Sequence, residues 1–189
     1  MHNSLRIIAD STFFLVFLHD IDRPSSLKKI ADEFDFSVTH KVSAEVRDKL
    51  ADCGKQTNYA LMVSHPRISF VSLEEFDPTE VLEPFFDENE KQYGQHSVFA
   101  YCYVLYDENI RDFCIIVDTW HAIQWLRENM NHLCCMTKWT SDFIGDCCCV
   151  FKILSKQEAT SIIEDMKREN SLRIPVTEVR NLKERVKSC

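Results

Sequence analysis

Two apolar runs of strand length each stop at an aspartate. Leu5-Arg6-Ile7-Ile8-Ala9-Asp10 opens the chain, and Phe113-Cys114-Ile115-Ile116-Val117-Asp118 lies past its middle. Short apolar runs bounded by polar residues read as strands buried on both faces, as in a parallel sheet. In such sheets ligands gather beyond the carboxyl ends of the strands. Two strand-end carboxylates aimed into one crevice form a donor set that suits a hard divalent cation.

The rest of the chain supports the sheet. Only three Gly and five Pro punctuate 189 residues, which predicts dense regular structure. Strands are expected at 5–10, 37–39, 68–73, 113–118 and 134–137. Helices are expected at 11–20, capped by Ser11 or Thr12, from Pro24 to Phe34, at 43–52, from Asp77-Pro78 through Leu82 and Phe86, and at 95–106 and 119–129. Further helices follow from Thr140 or Ser141 to Ile153, from the capping box Ser155…Glu158 to Glu169, and from Pro175 to Lys187. Strands alternating with helices argue for a parallel sheet covered on both faces. One domain spans 1–189, with a core at about 5–154 and C-terminal helices at about 155–187 that dock on the core or on a second subunit.

Composition excludes some functions. A hydrophobic content of 45% with 13 Phe describes a globular chain, not a disordered one. The net charge of −8 excludes a basic field for non-specific nucleic-acid binding, so any RNA role rests on a local site or a partner. The run Ile7–Leu18 contains Asp10 and lacks a basic leader, and no apolar run is long enough for a membrane span. A cytoplasmic setting with reduced thiols follows as the expectation. The nine Cys include the adjacent runs Cys134-Cys135 and Cys147-Cys148-Cys149 but no zinc-finger spacing. They read as small buried hydrophobes, with a metal or redox role as the alternative.

Asp10 and Asp118 have company in Glu45, which lies in Val42-Ser43-Ala44-Glu45-Val46 at the expected start of the helix after the second strand. A helix begins where its strand ends, so Glu45 belongs near the same sheet edge. Three carboxylates then come within reach of one Mg²⁺ or Mn²⁺, which keeps several waters and takes few protein ligands. Each acid also has a structural reading. An Asp after a strand can simply cap the next helix, and a Glu in a first turn can serve the helix dipole. The conjunction of the three favours the metal.

Asp10-Ser11 after an apolar strand, Glu45 in a Val-x-x-Glu-Val helix start, a helix led by Gly94, and Val117-Asp118 before another helix resemble the PIN-domain nucleases. The stretch Leu172-Arg173-Ile174-Pro175 before the last helix is similar to the end of a prokaryotic PIN subgroup. The resemblance covers nearly the whole chain and rests on spacing and hydrophobic pattern. It implies a three-layer α/β/α sandwich around a parallel sheet of four or five strands. It also implies Mg²⁺- or Mn²⁺-dependent hydrolysis of RNA phosphodiesters, with Asp10, Glu45 and Asp118 as metal ligands and catalytic acids. Members include homodimers and toxins silenced by an antitoxin peptide.

The chain departs from that pattern at one acid. Where the family has Gly-Glu, this sequence has Gly94-Gln95. Gln95 offers a cation a carbonyl oxygen but neither charge nor a general base, and Glu90 is wrongly spaced to replace it. Thr119-Trp120-His121 also stands where acidic and basic residues are usual. Two functions follow from the resemblance: a working ribonuclease, or a degenerate PIN-like module that binds RNA or a protein without cutting. A third reading makes the C-terminal helices an oligomerisation element. Phosphate-binding glycine loops and a Gly-x-Ser-x-Gly elbow are absent. Nothing in the spacing favours a Cys–His pair at His96 or His121. Trp120, Trp125 and Trp139 read as packing residues before base-stacking ones.

Overall fold

Short runs carrying isoleucine, valine and phenylalanine build four strands, a two-residue strand makes a fifth, and every pair of neighbours runs parallel. The computed structural model describes residues 5–73, 94–171 and 176–189. The strands are β1 (Arg6–Ala9), β2 (Asp35–Thr39), β3 (Ile68–Val71), β4 (Phe113–Ile116) and β5 (Thr137–Lys138), in spatial order β3-β2-β1-β4-β5. Successive strand residues point to opposite faces. Ile7, Ile8 and Ala9 in β1 and all four residues of β4 are buried, so both faces of the sheet are covered. The architecture is an α/β sandwich, as expected, with extra helices at the C-terminus.

The helices are α1 (Ser11–Leu15), continued by a π-turn over Val16–Asp20, then α2 (Pro24–Ala31), α3 (His40–Asp52) and α4 (Gln56–Val63). They continue as α5 (Gly94–Asp107), α6 (Trp120–Asn129), α7 (Asn131–Cys134), α8 (Thr140–Cys149), α9 (Lys156–Arg168) and α10 (Val176–Ser188). Phe13 of α1 sits at the centre of the core. Its ring meets Phe14, Phe17, Phe36 and Phe143 at centroid distances of 5.2, 5.4, 5.6 and 6.1 Å.

Topology fixes where a ligand belongs. From β1 the chain moves outward through β2 to β3. It then returns to the other side of β1 as β4 and continues to β5. The direction reverses between β1 and β4, and a doubly wound sheet opens its crevice at that reversal, beyond the carboxyl ends of the strands. Register brings the two ends level: Ala9 pairs with Ile116.

The C-terminal helices dock on the core, one of the two placements expected. Both α9 and α10 pack against α8. Arg23 pairs with Asp165, Lys29 with Glu158 at 2.9 Å, and Arg185 with Asp146. The Ser155–Glu158 capping box forms as expected, its N-cap hydroxyl and N3 carboxylate each accepting from the other residue's backbone. A disulfide joins Cys149 to Cys189, and the Cys148 Sγ lies 4.0 Å from the Cys189 Sγ. That pair departs from the expectation of reduced thiols. Cys102, Cys114, Cys147 and Cys148 are buried as expected.

Several boundaries differ from expectation, each for a physical reason. Asp10, not Ser11 or Thr12, caps α1 by accepting from the Phe13 N–H at 3.2 Å. Thr39 caps α3, so the helix opens at His40 and Glu45 lies beyond its first turn. The dipole reading of Glu45 therefore fails. Helix α4 was not expected, because among its residues only Met62 is buried and no amphipathic stripe marks it. Cys134 closes a short helix instead of opening a strand, and β5 begins at Thr137. Such short apolar runs carry no periodicity that separates the two states. Helix α8 stops at Cys149, before Lys152 adopts φ of 57°. The helix expected from Asp77 through Phe86, together with Glu90 and Leu172–Pro175, lies outside the described residues.

Candidate metal centre at the sheet switch

The β1–β4 ladder runs on to the first aspartate: the Asp10 N–H donates to the Ile116 carbonyl at 3.0 Å. Its side chain is shared between two elements. One oxygen accepts from the Phe13 N–H and caps α1, and the other accepts from the Asp118 N–H at 3.4 Å. Asp118 does not cap the helix that follows it. Thr119 occupies that position without a side-chain capping bond. Instead the Asp118 Oδ1 accepts from the Thr140 N–H at 2.8 Å, tying the end of β4 to the start of α8. The reading of Asp118 as a cap for the helix that follows it therefore fails, and its carboxylate instead reaches the start of α8, 22 residues on.

Both carboxyls are buried, each only 3% exposed. Burial, and then the facing Asp118 carboxylate, push Asp10 from 3.8 up to about 8, against backbone N–H bonds from Phe13, Asp118 and Thr12 that pull it down. Two acids brought out of water side by side are costly unless a proton or a cation lies between them.

Glu45 arrives from α3. Its Oε1 accepts from the Gly94 N–H at 2.7 Å, and its Oε2 lies where a side chain on Gly94 would start, 2.4 Å from an added Cβ. Gly94 thus opens α5 because only a residue without a Cβ lets the carboxylate close over it. The next residue, Gln95, accepts from the Thr119 Oγ1 at 3.1 Å, beside Asp118. The start of α5 therefore links Glu45 to the end of β4. Thr39 and Ser97 brace this link. The Ser97 hydroxyl donates to the Gly94 carbonyl at 2.6 Å, so the Thr39 hydroxyl donates to Ser97, also at 2.6 Å.

The structure thus brings Asp10 and Asp118 into direct interaction and holds Glu45 and Gln95 together on the adjoining helix start. It does not draw the acids into one tight cluster. Among the described residues, the one group of three ligating side chains within 4.8 Å of one another is Cys148, Cys149 and Cys189. The donor set at the switch is all oxygen, which fits Mg²⁺ or Mn²⁺. The Thr140 Oγ1 adds a buried hydroxyl with no hydrogen-bond partner among the described residues. Asp10 and Asp118 fit a cation best, because they are the two acids that burial sets beside each other at the switch, where a cation can replace the Asp10 proton. Glu45 and Gln95 stand at the margin of that pair, each accepting one bond from the protein.

Sequence reasoning finds the acids but misses Thr39, Gly94, Ser97 and Thr140 as their supports. Thr39, Gly94 and Thr140 carry a local signal, the threonines as hydroxyl residues where a helix begins and Gly94 as the residue that leads one. Elsewhere, Trp125 stacks flat on Phe99 with centroids 5.5 Å apart, the packing role expected of it. Trp120 is exposed, with the Arg127 guanidinium 5.5 Å from its ring centre. His96 is buried and His121 exposed.

Gly94 gives the geometry its own test. In Gly94→Ala the new methyl displaces the Glu45 carboxylate, while the helix gains a better helix former. The expected result is a stability within about 1 kcal/mol of wild type and a clear fall in divalent-cation affinity, read by thermal melts and Mn²⁺ titration. An unchanged affinity would remove Glu45 from the site.

No helix among the described residues is long and apolar enough to cross a membrane. Compared with protein-family models, with curated proteins and with solved structures, the chain matches none.

Proposed function

We propose that the chain is a metal-dependent ribonuclease of the PIN type, hydrolysing RNA phosphodiesters at the Asp10–Asp118 crevice with Mg²⁺ or Mn²⁺. The observation that carries this reading is the pair of buried, facing carboxylates at the topological switch of a parallel sheet, with Asp10 pushed up to about 8. A cation supplies the positive charge that makes a water nucleophilic near neutral pH and offsets the charge developing on the phosphate.

The residues of the chain do the rest. Asp10 and Asp118 hold the cation and are fixed by the Phe13, Asp118 and Thr140 N–H groups. Glu45, seated on Gly94, contributes as the further acid, and Gln95 offers a neutral oxygen where a carboxylate would be stronger. Ile116 and Val117, which lead into Asp118, are buried. A cytoplasmic setting, a homodimer and an antitoxin-like protein partner belong to the same proposal. Sedimentation showing only monomer would remove the dimer.

The test is cleavage of single-stranded RNA by purified protein with Mn²⁺, beside Asp10→Asn. Wild type is expected to cleave and the variant to fail. Equal cleavage by both, or by neither, sinks the catalytic assignment.

A second reading has an observation of its own. Gln95 stands in an acid's place and is held by Thr119, and the net charge is −8. These favour a degenerate module that binds RNA or a protein partner without cutting it. A tight, carboxylate-dependent Mn²⁺ site counts against that module.

A further inference from the structure

A second constellation lies away from the crevice, where the π-turn after α1 meets the end of α3. Cys53 caps the C-terminus of α3 and is exposed, and Gly54 turns the chain behind it at φ of 69°. Its Sγ lies 3.2 Å from the Nε2 of His19. The Nδ1 of His19 lies 2.6 Å from the Oδ1 of Asp20, whose Oδ2 accepts from the Ser171 hydroxyl at 2.6 Å.

A carboxylate only accepts, so Nδ1 carries the ring proton and Nε2 of the neutral ring is left as an acceptor. The Cys53 thiol donates to it. The backbone beneath is pinned: Lys55 Nζ donates to the His19 carbonyl at 2.9 Å, and Asn58 donates to the Leu18 carbonyl at 2.8 Å. Single π-turns recur at functional sites, and this one sets two neighbouring side chains toward a third from another helix. Thiol, imidazole and carboxylate stand in the order of nucleophile, base and orienter.

We propose that Cys53 is a base-activated reactive thiol that exchanges with low-molecular-weight disulfides. The Cys53 proton passes to His19 Nε2, and the thiolate attacks one sulfur of RS–SR. A Cys53–SR bond forms as the reagent's S–S bond breaks, and the leaving RS⁻ takes the proton from His19 as RSH. Cys53 is oxidised to the disulfide level and one sulfur of the reagent is reduced to a thiol. Asp20 is a positioning residue: it sets the tautomer of His19 and stabilises the imidazolium. Lys55 and Asp22, 3.5 Å apart, are charged groups beside the pair, and Asp52 precedes Cys53 in the chain. The small disulfide is favoured as the ligand because Cys53 is open to solvent.

The test uses the full chain and 5,5′-dithiobis(2-nitrobenzoate), an aromatic disulfide that releases a coloured thiol, with labelled sites assigned by peptide mass. Cys135, exposed and bonded to a backbone carbonyl with no imidazole, is the internal reference. Cys53 is expected to label at least about ten-fold faster than Cys135, and His19→Ala to bring it within about two-fold. Wild type should keep more of its pH 8 rate at about pH 6 than His19→Ala or Asp20→Asn does, a readout that altered packing alone would not move. Should His19→Ala expose the buried Cys102 and Cys147 to label, His19→Gln keeps the ring's volume and serves in its place. Labelling of Cys53 no faster than Cys135, or a rate unchanged without His19, overturns the proposal.

Discussion

At pH 8 the Asp10→Asn variant is expected to melt at a higher temperature than wild type while cleaving RNA at least about a hundred-fold more slowly. The two effects have one source. Burial and Asp118 hold the native Asp10 near 8, against 3.8 for the free acid. Between those values the native state keeps a proton that the unfolded chain has released. The stability this gives is fully present at low pH. It is lost as the pH rises through that window to about 8, a change on the order of a few kcal/mol. An amide keeps an acceptor for the Phe13 N–H and sets a neutral group opposite Asp118, so the variant's melting temperature should vary far less with pH. It also removes one of the two charges that draw in a cation. Mn²⁺ is therefore expected to raise the melting temperature of wild type by mass action and to leave the variant unmoved. Melts across pH, with and without metal, check both halves. A wild type whose stability rises from pH 5 to pH 8 would contradict the buried-pair account.

Phe13→Ala carries the largest expected loss of stability, about 3–5 kcal/mol. The ring is fully buried and touches four others drawn from α1, the π-turn, β2 and α8. Truncation removes its burial and leaves a cavity that aromatic neighbours held by separate elements fill poorly. For a domain of this size that loss is about 10 °C in melting temperature, out of a total stability of about 5–15 kcal/mol. Since the Phe13 N–H donates to the Asp10 carboxylate, the same change loosens one support of the crevice. Guanidinium titration measures it, and a midpoint close to wild type would mean that the phenylalanine cluster is not the centre of the core.

Strands β1 to β4 and the two aspartates were legible because each is written within a few consecutive residues. An apolar run followed by Asp needs no distant partner to be recognised. What makes Asp10 and Asp118 a pair is the return of the chain from β3 to the far side of β1, and no local pattern specifies which strand β4 will join. The supports of the site are long-range in the same way. Glu45 meets Gly94 across 49 residues and Thr39 meets Ser97 across 58. His19 and Cys53, 34 apart, are ordinary surface residues until the π-turn and the end of α3 are brought together. Helix α4 was missed because tertiary packing, not its own periodicity, holds it in place. The Cys149–Cys189 link was missed because adjacent cysteines suggest diverging side chains, while Cys149 closes α8 where the last helix returns to it.

Calorimetric titration of Mn²⁺ into the full chain at about pH 7.5, repeated in two buffers of different ionisation enthalpy, tests the central claim most directly. A cation that takes the place of the Asp10 proton must release that proton. The account predicts one carboxylate-dependent site whose apparent heat changes with the buffer, and no such site in Asp10→Asn or Asp118→Asn. Absence of binding at millimolar metal, or binding that both variants retain, would contradict it.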